Sequence, residues 1–132
     1  MDIGTSYVFS QALYVAAKLG IADLLKDGPK TGEELAKPTE TDAQSLCRVL
    51  RLLASVGVFI EGEDGRFGLT PTAACLQNGP SSSGALPIWW GEECYHAMGD
   101  LLYSVKTGKP AFDHVYKMGM FEYLGRNPGG RV

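Results

Sequence analysis

The chain has 132 residues, 12 Lys+Arg against 15 Asp+Glu, 45% hydrophobic residues and 17 glycines. That length supports one buried core but not a small module plus a nucleotide-binding domain of ~150 residues. The net charge of −3 weighs against affinity built on neutralising phosphates, and no apolar run reaches the ~18 residues of a membrane span.

The N-terminus carries Asp2 and no basic n-region, so no signal peptide is visible. Cys47, Cys75 and Cys94 are far apart and form no C-x-x-C pair, which indicates neither a disulfide framework nor a structural zinc site. They read as small hydrophobes in a reducing cytoplasm.

From Tyr7 to Leu19 the run YVFSQALYVAAKL is helix-forming, and only Ser10, Gln11 and Lys18 in it are clearly polar. A helix apolar nearly all round has to be covered on most sides, and a second copy of the chain is the economical cover. A glutamate at Val15 or Ala16 is therefore expected to break a dimer by placing charge in a desolvated contact. Gly20 fits the C′ position of this helix, and IADLLKDGP gives a second short helix ended by Gly28 and Pro29.

Thr31 and Glu34 have the spacing of a capping box, opening a short helix through Leu35 and Ala36 that Pro38 is expected to stop. Thr41 and Gln44 repeat the spacing ahead of a longer helix, in which Leu46, Val49, Leu50, Leu53 and Ala54 form one apolar stripe that ends at Gly57. Two β-prone runs, Val58 to Ile60 and Phe67 to Leu69, flank the hairpin signal between Gly62 and Gly65. Thr70 and Pro71 open one more helix. The order helix, turn, helix, two-stranded wing makes residues 31–76 a winged helix-turn-helix pattern in a mainly α chain.

Such a frame can place a recognition helix in the major groove, with Gln44, Ser45, Arg48 and Arg51 on offer. The charges oppose that use. Between Thr31 and Thr70, Lys37, Arg48, Arg51 and Arg66 face Glu33, Glu34, Glu40, Asp42, Glu61, Glu63 and Asp64, a net of −3. Glu61, Glu63 and Asp64 would sit where a wing approaches phosphates. The reading is no nucleic acid, with Arg48 and Arg51 solvated or paired to nearby acids. An acidic winged-helix regulator or a free-standing protein-interaction module is the alternative from another class.

Residues 78–84 (NGPSSSG) are linker-like. Beyond them, a helix of about five turns is expected from Pro87 to Val105, with Trp90, Cys94, Ala97, Met98, Leu101 and Val105 on one face. KTGKPAF breaks it, and MFEYLGRNP reads as a last short helix cut by Pro128. The expected organisation is a winged-helix domain over 1–77 with a swapped N-terminal helix, a linker over 78–84, and a helical segment over 85–132.

The stretch TGEELAKPTETDAQSLCRVLRLLASVGVFIEGEDGRFGLT resembles the N-terminal dimerisation domain of S-adenosylmethionine-dependent small-molecule O-methyltransferases, of the plant caffeate and microbial polyketide or phenazine type. The positions that carry the likeness include Thr31, Glu34, Leu35, Ala36, Arg48, Arg51, Gly57, Val58 and Phe59. The later segment is also similar, through Thr107 to Pro110 and Phe121 to Leu124. Many members have glycine directly after the tyrosine occupied here by Tyr116, where this chain has Lys117.

The resemblance implies an intertwined homodimer and a small aromatic hydroxylated acceptor. It also implies S-adenosylmethionine for the full-length enzyme, bound by a Rossmann-like catalytic domain. That domain's Gly-rich loop and histidine base have no counterpart in this sequence, so this chain is expected to bind no cofactor and no metal, to contribute no catalytic residue, and to be inactive alone.

His96, near Glu92, Glu93 and Asp100, could form part of an acid–base or metal site, but an exposed charged face is the preferred reading. His114 beside Asp113 reads as a loop residue. Planar phenols are held largely by aromatic and apolar walls, and the resemblance assigns that role to this segment. Phe112, Met120 and Phe121 are the preferred substrate-binding positions, and Trp90 is next.

Overall fold

A computed structural model describes residues 3–77 and 85–126. The chain divides into two compact units, Met1–Gly84 and Ala85–Val132. The linker expected at 78–84 and the helix stop expected at Pro128 lie outside the described residues.

The first unit begins with a 3-10 turn, Ile3–Thr5, and helix α1, Ser6–Leu19. Gly20 ends α1 in the left-handed conformation at φ 68°, returning its N–H to the last turn, and α2 is a single turn, Ile21–Leu24. Ala12 and Ala16 are the buried residues of α1; four apart on one face, these small side chains let the helix lie close against the core. Ala16 is thus part of this chain's own interior, so a glutamate there would test folding rather than association.

Strand β1 (Lys30–Thr31) leads into α3 (Gly32–Thr39) through the expected capping box. Glu34 N–H donates to Thr31 Oγ1 at 3.2 Å and Thr31 N–H to Glu34 Oε1 at 3.0 Å. Pro38 does not stop the helix. It sits in the last turn, where one missing backbone donor is tolerated, and the helix ends instead at Glu40, at φ 54°. Thr41 N–H then reaches Ala36 O at 3.1 Å, the 6→1 bond of a Schellman ending.

The cap of α4 (Ala43–Ala54) also differs from expectation: Asp42 takes the role given to Thr41 and Gln44. Asp42 accepts from Ser45 N–H at 2.9 Å and Ser45 Oγ at 2.8 Å, while Thr41 Oγ1 is engaged with Thr39 Oγ1 at 3.0 Å. Leu46, Leu50 and Leu53 carry the buried stripe, with Val49 and Ala54 half-buried at its margins.

Strands β2 (Phe59–Glu61) and β3 (Arg66–Leu69) form the hairpin, in the register Phe59 opposite Leu69 and Glu61 opposite Phe67. The sequence reading missed a third strand: β1 pairs with β3, giving the order β1-β3-β2. Two residues are too few for alternation to show; tertiary contact alone makes Lys30–Thr31 a strand. Phe59 and Phe67 point into the core with Ile21, Leu25, Leu35, Leu50 and Leu53, all less than 2% exposed or nearly so. Thr70 caps α5 (Pro71–Ala74) and also donates to Val58 O at 2.6 Å, tying the start of the hairpin to its end.

The second unit is helical. Helix α6 (Ala85–Trp89) runs into a π turn (Trp90–Cys94) and then α7 (Tyr95–Met98). A turn at Gly99 and Asp100 separates this from α8 (Leu101–Thr107). Helices α9 (Ala111–Tyr116) and α10 (Met120–Arg126) follow. The single helix expected from Pro87 to Val105 is therefore broken, and its buried face is only partly the expected one: Ala97 is buried as expected and Cys94 half-buried, whereas Trp90, Met98, Leu101 and Val105 are exposed. The i→i+5 pairing of a π turn widens one turn, so Trp89, Glu93 and Ala97, four apart, face inward and are buried.

Candidate functional site

The second unit is built around four rings. Trp89 lies 6.1 Å from Phe112 and 6.5 Å from Tyr123, centroid to centroid. Phe112 is 4.6 Å from Tyr116 and meets Tyr123 edge-on at 5.5 Å. Phe112 and Tyr116 are one helical turn apart on α9, and Tyr123 comes from α10, so three helices meet through aromatic faces and edges. Of the residues expected to bind substrate, Phe112 belongs to this cluster. Met120, Phe121 and Trp90 do not; they stand at the surface, Phe121 82% and Trp90 52% exposed.

Two charged features of this unit depart from the sequence reading. Glu93 is not on an exposed charged face with Glu92, His96 and Asp100. The π turn carries it inward to 3% exposure, where its Oε1 accepts from the Tyr123 hydroxyl at 3.2 Å and its main-chain carbonyl accepts from the Tyr116 hydroxyl at 3.3 Å. Burial, together with the charge of Glu93, pushes the Tyr116 phenol up to about 12, keeping it a hydrogen-bond donor. The same causes raise the Cys94 thiol, the opposite of an activated thiolate.

His114 is more than a loop residue. It lies on α9, its Nδ1 is 2.6 Å from Asp100 Oδ2, and its ring stacks on Tyr103 at 3.9 Å and 9°. These contacts clip α9 to α8. Among the described residues no group of three or more His, Cys, Asp or Glu could hold a metal ion, and no helix is long and apolar enough to cross a membrane.

Large apolar side chains remain uncovered on both units. On the first, Ile3, Tyr7 and Val8 at the N-terminal end of α1 are exposed, Ile3 at 92%. On the second, Trp90, Met98, Leu101 and Val105, four of the six residues that the sequence reading placed inside, are exposed, Val105 at 76%, and Leu102 is exposed beside them. A small groove of about 140 Å³ between α1 and α4 has Val15, Leu19, Leu46 and Val49 as its apolar lining.

The arginines of the hairpin region are engaged with acids. Arg51 Nε donates to Glu61 at 3.1 Å, and Arg66 bridges Glu34 at 3.4 Å and Asp64 at 3.2 Å.

Trp89, Tyr116 and Tyr123 were given no site role from sequence, and Glu93 was read as part of an exposed charged face rather than as a buried residue. The four-residue spacings Trp89–Glu93 and Phe112–Tyr116 were the available signal, but the π turn is set by packing and leaves no periodic mark.

The sequence profile of the O-methyltransferase dimerisation domain matches residues 1–79. The chain is 51% identical over 125 residues to the phenazine O-methyltransferase PhzM of Lysobacter antibioticus, a match covering 94% of this chain and 37% of that protein. It superposes on the crystal structure of LaPhzM with a TM-score of 0.90 and 50% identity, over 96% of this chain and 38% of that one. It superposes on CalO1, a methyltransferase in calicheamicin biosynthesis in its SAH-bound form, with a TM-score of 0.78 and 34% identity, over 94% and 38%. The chain thus spans well under half the length of these relatives.

Proposed function

The chain belongs to the O-methyltransferase dimerisation-domain family, and from that membership we propose that it makes the homodimer and faces the acceptor in an S-adenosylmethionine-dependent O-methyltransferase. The observation that carries the proposal is the unburied apolar surface at the start of α1 and along α7 and α8. Exposed side chains such as Ile3, Leu102 and Val105 would each gain roughly 1.5–3 kcal/mol if fully buried, and a second copy, intertwined through Ile3 to Leu19 and the helical run from Pro87 to Val105, supplies the cover.

Phe112, Met120, Phe121 and Trp90 are proposed as acceptor-facing residues for a small planar hydroxylated aromatic, by the chemistry of apolar and aromatic walls. S-adenosylmethionine is the methyl donor of the full-length enzyme. No cofactor site is assigned to these residues, and this chain alone transfers no methyl group. The pairing of Arg51 and Arg66 with acids supports the reading without nucleic acid, and the enzyme is placed in the cytoplasm.

Sedimentation tests the dimer. The 132-residue chain is expected to run as a dimer at micromolar concentration, and Val8→Glu or Val105→Glu to shift it to monomer with helix content unchanged. A stable monomer of the unsubstituted chain would overturn the proposal, as would methyl transfer by this chain in isolation.

A further inference from the structure

Two hydroxyls from different helices converge on one residue of the π turn. Tyr116 on α9 donates to the Glu93 carbonyl at 3.3 Å, and Tyr123 on α10 donates to Glu93 Oε1 at 3.2 Å. Glu93 is 3% exposed. A carboxylate in such a place costs free energy that a leucine of similar size would not, so its presence calls for a role that packing alone does not supply. The surrounding rings, with centroids 4.6 to 6.5 Å apart, form an apolar contact that tolerates sliding and rotation. Hydrogen bonds are directional and weaken steeply off-axis. The two hydroxyl bonds therefore add a directional constraint on α9 and α10 to the ring contacts.

Helix α10 also carries Met120 and Phe121, both exposed, three and two residues before Tyr123. We infer that Glu93 is a positioning residue for the acceptor wall: its side chain, by accepting the Tyr123 hydroxyl, sets the axial position and rotation of α10, and with them the placement of Met120 and Phe121, while the Tyr116 hydroxyl on the Glu93 main-chain carbonyl anchors α9 to the same turn. This rests on the acceptor-facing reading given above. A misplacement of about 1 Å in a substrate-positioning group is enough to cost up to 10²-fold, so the bond matters to acceptor binding although Glu93 touches no acceptor itself.

Tyr123→Phe keeps the ring and removes only the hydroxyl. In the full-length methyltransferase, assayed with a panel of hydroxyphenazines and hydroxybenzoates, it is expected to raise the acceptor KM about tenfold. The S-adenosylmethionine KM and kcat should stay within about twofold, the pattern of lost acceptor binding. Glu93→Leu should reproduce this, whereas Glu93→Gln, which keeps an oxygen acceptor, should restore the KM.

Met120→Ala and Phe121→Ala separate the two levels. If neither raises the acceptor KM, the acceptor-facing reading falls. If they do and Tyr123→Phe does not, the positioning inference falls. Hydrogen exchange on the 132-residue chain gives a readout independent of activity: Tyr123→Phe should speed exchange at 120–126 and leave 43–54 unchanged. Equal exchange in both regions overturns the inference.

Discussion

The Sγ of Cys47, on α4, occupies the space that a β-carbon on Gly32, at the first position of α3, would need. Gly32 is buried, and the glycine is what lets the two helices cross so closely. Alanine at an open helix position would be favoured by up to about 1 kcal/mol over glycine; here the overlap reverses the sign. Gly32→Ala is expected to lower stability by about 1–3 kcal/mol, the range for overpacking. In a Cys47→Ala background the cost should largely vanish, because the remaining neighbours, Cys47 Cβ at 3.6 Å and the Ala43 carbonyl oxygen at 3.7 Å, lie at ordinary van der Waals distance. Urea unfolding of the four variants measures the coupling, and additive effects would show that the sulfur is not the obstacle.

Leu50 and Val105 separate the core from the proposed interface. Leu50 is 0% exposed, and Leu50→Ala should cost about 2–5 kcal/mol. Val105 lies at the surface of the single chain, so Val105→Ala should change unfolding of the dilute monomer by no more than about 0.5 kcal/mol while weakening the dimer. Denaturation at low concentration, set beside sedimentation at high concentration, resolves the two contributions.

Acid should weaken the first unit through its helix caps. Thr31 main-chain and side-chain hydrogen bonds hold the Glu34 carboxyl below its ordinary range, and those from Ser45 do the same for Asp42. A carboxylate with a lowered folded pKa contributes stability above its unfolded value, roughly 4, and that contribution is lost as pH falls through the folded value. Stability should be flat from neutral pH down to about 5 and decline below that. Glu34→Gln with Asp42→Asn should flatten the decline; an unchanged slope in thermal melts from pH 6 to 3 would show that the caps do not carry it.

Lys117 ends α9 in the left-handed region at φ 61°, a conformation costing a residue with a side chain roughly 1–2 kcal/mol. The departure noted in the sequence, lysine where the family resemblance leads one to expect glycine, thus falls at a position whose backbone favours glycine. Lys117→Gly should stabilise the second unit by about 0.5–1 kcal/mol after the extra chain entropy of glycine is offset. Tryptophan fluorescence during unfolding reports on this unit, because Trp89 and Trp90 are the two tryptophans of the chain. No rise in the midpoint would mean that the local strain is relieved elsewhere.

Local chemistry made much of this protein legible from sequence. The Thr31–Glu34 cap, the Gly20 stop, the Leu46–Leu50–Leu53 stripe and the hairpin around Gly62 to Gly65 each depend on residues a few positions apart, and each forms as read. So does the acidic surroundings of Arg51, because the opposing charges are in the sequence itself. What required tertiary structure was whatever depends on distant segments meeting. The strand at Lys30 and Thr31 exists only because β3 lies beside it.

The π turn between Trp90 and Cys94 is the decisive case. A single widened turn brings Glu93 under the hydroxyls of Tyr116 and Tyr123 while Trp90 and Met98 lie outside, shifting the face that a uniform period of roughly 3.6 residues assigns. Hydrophobic spacing identifies a helix with two faces. Which face meets the chain's own core is decided by the three helices and four rings that pack there.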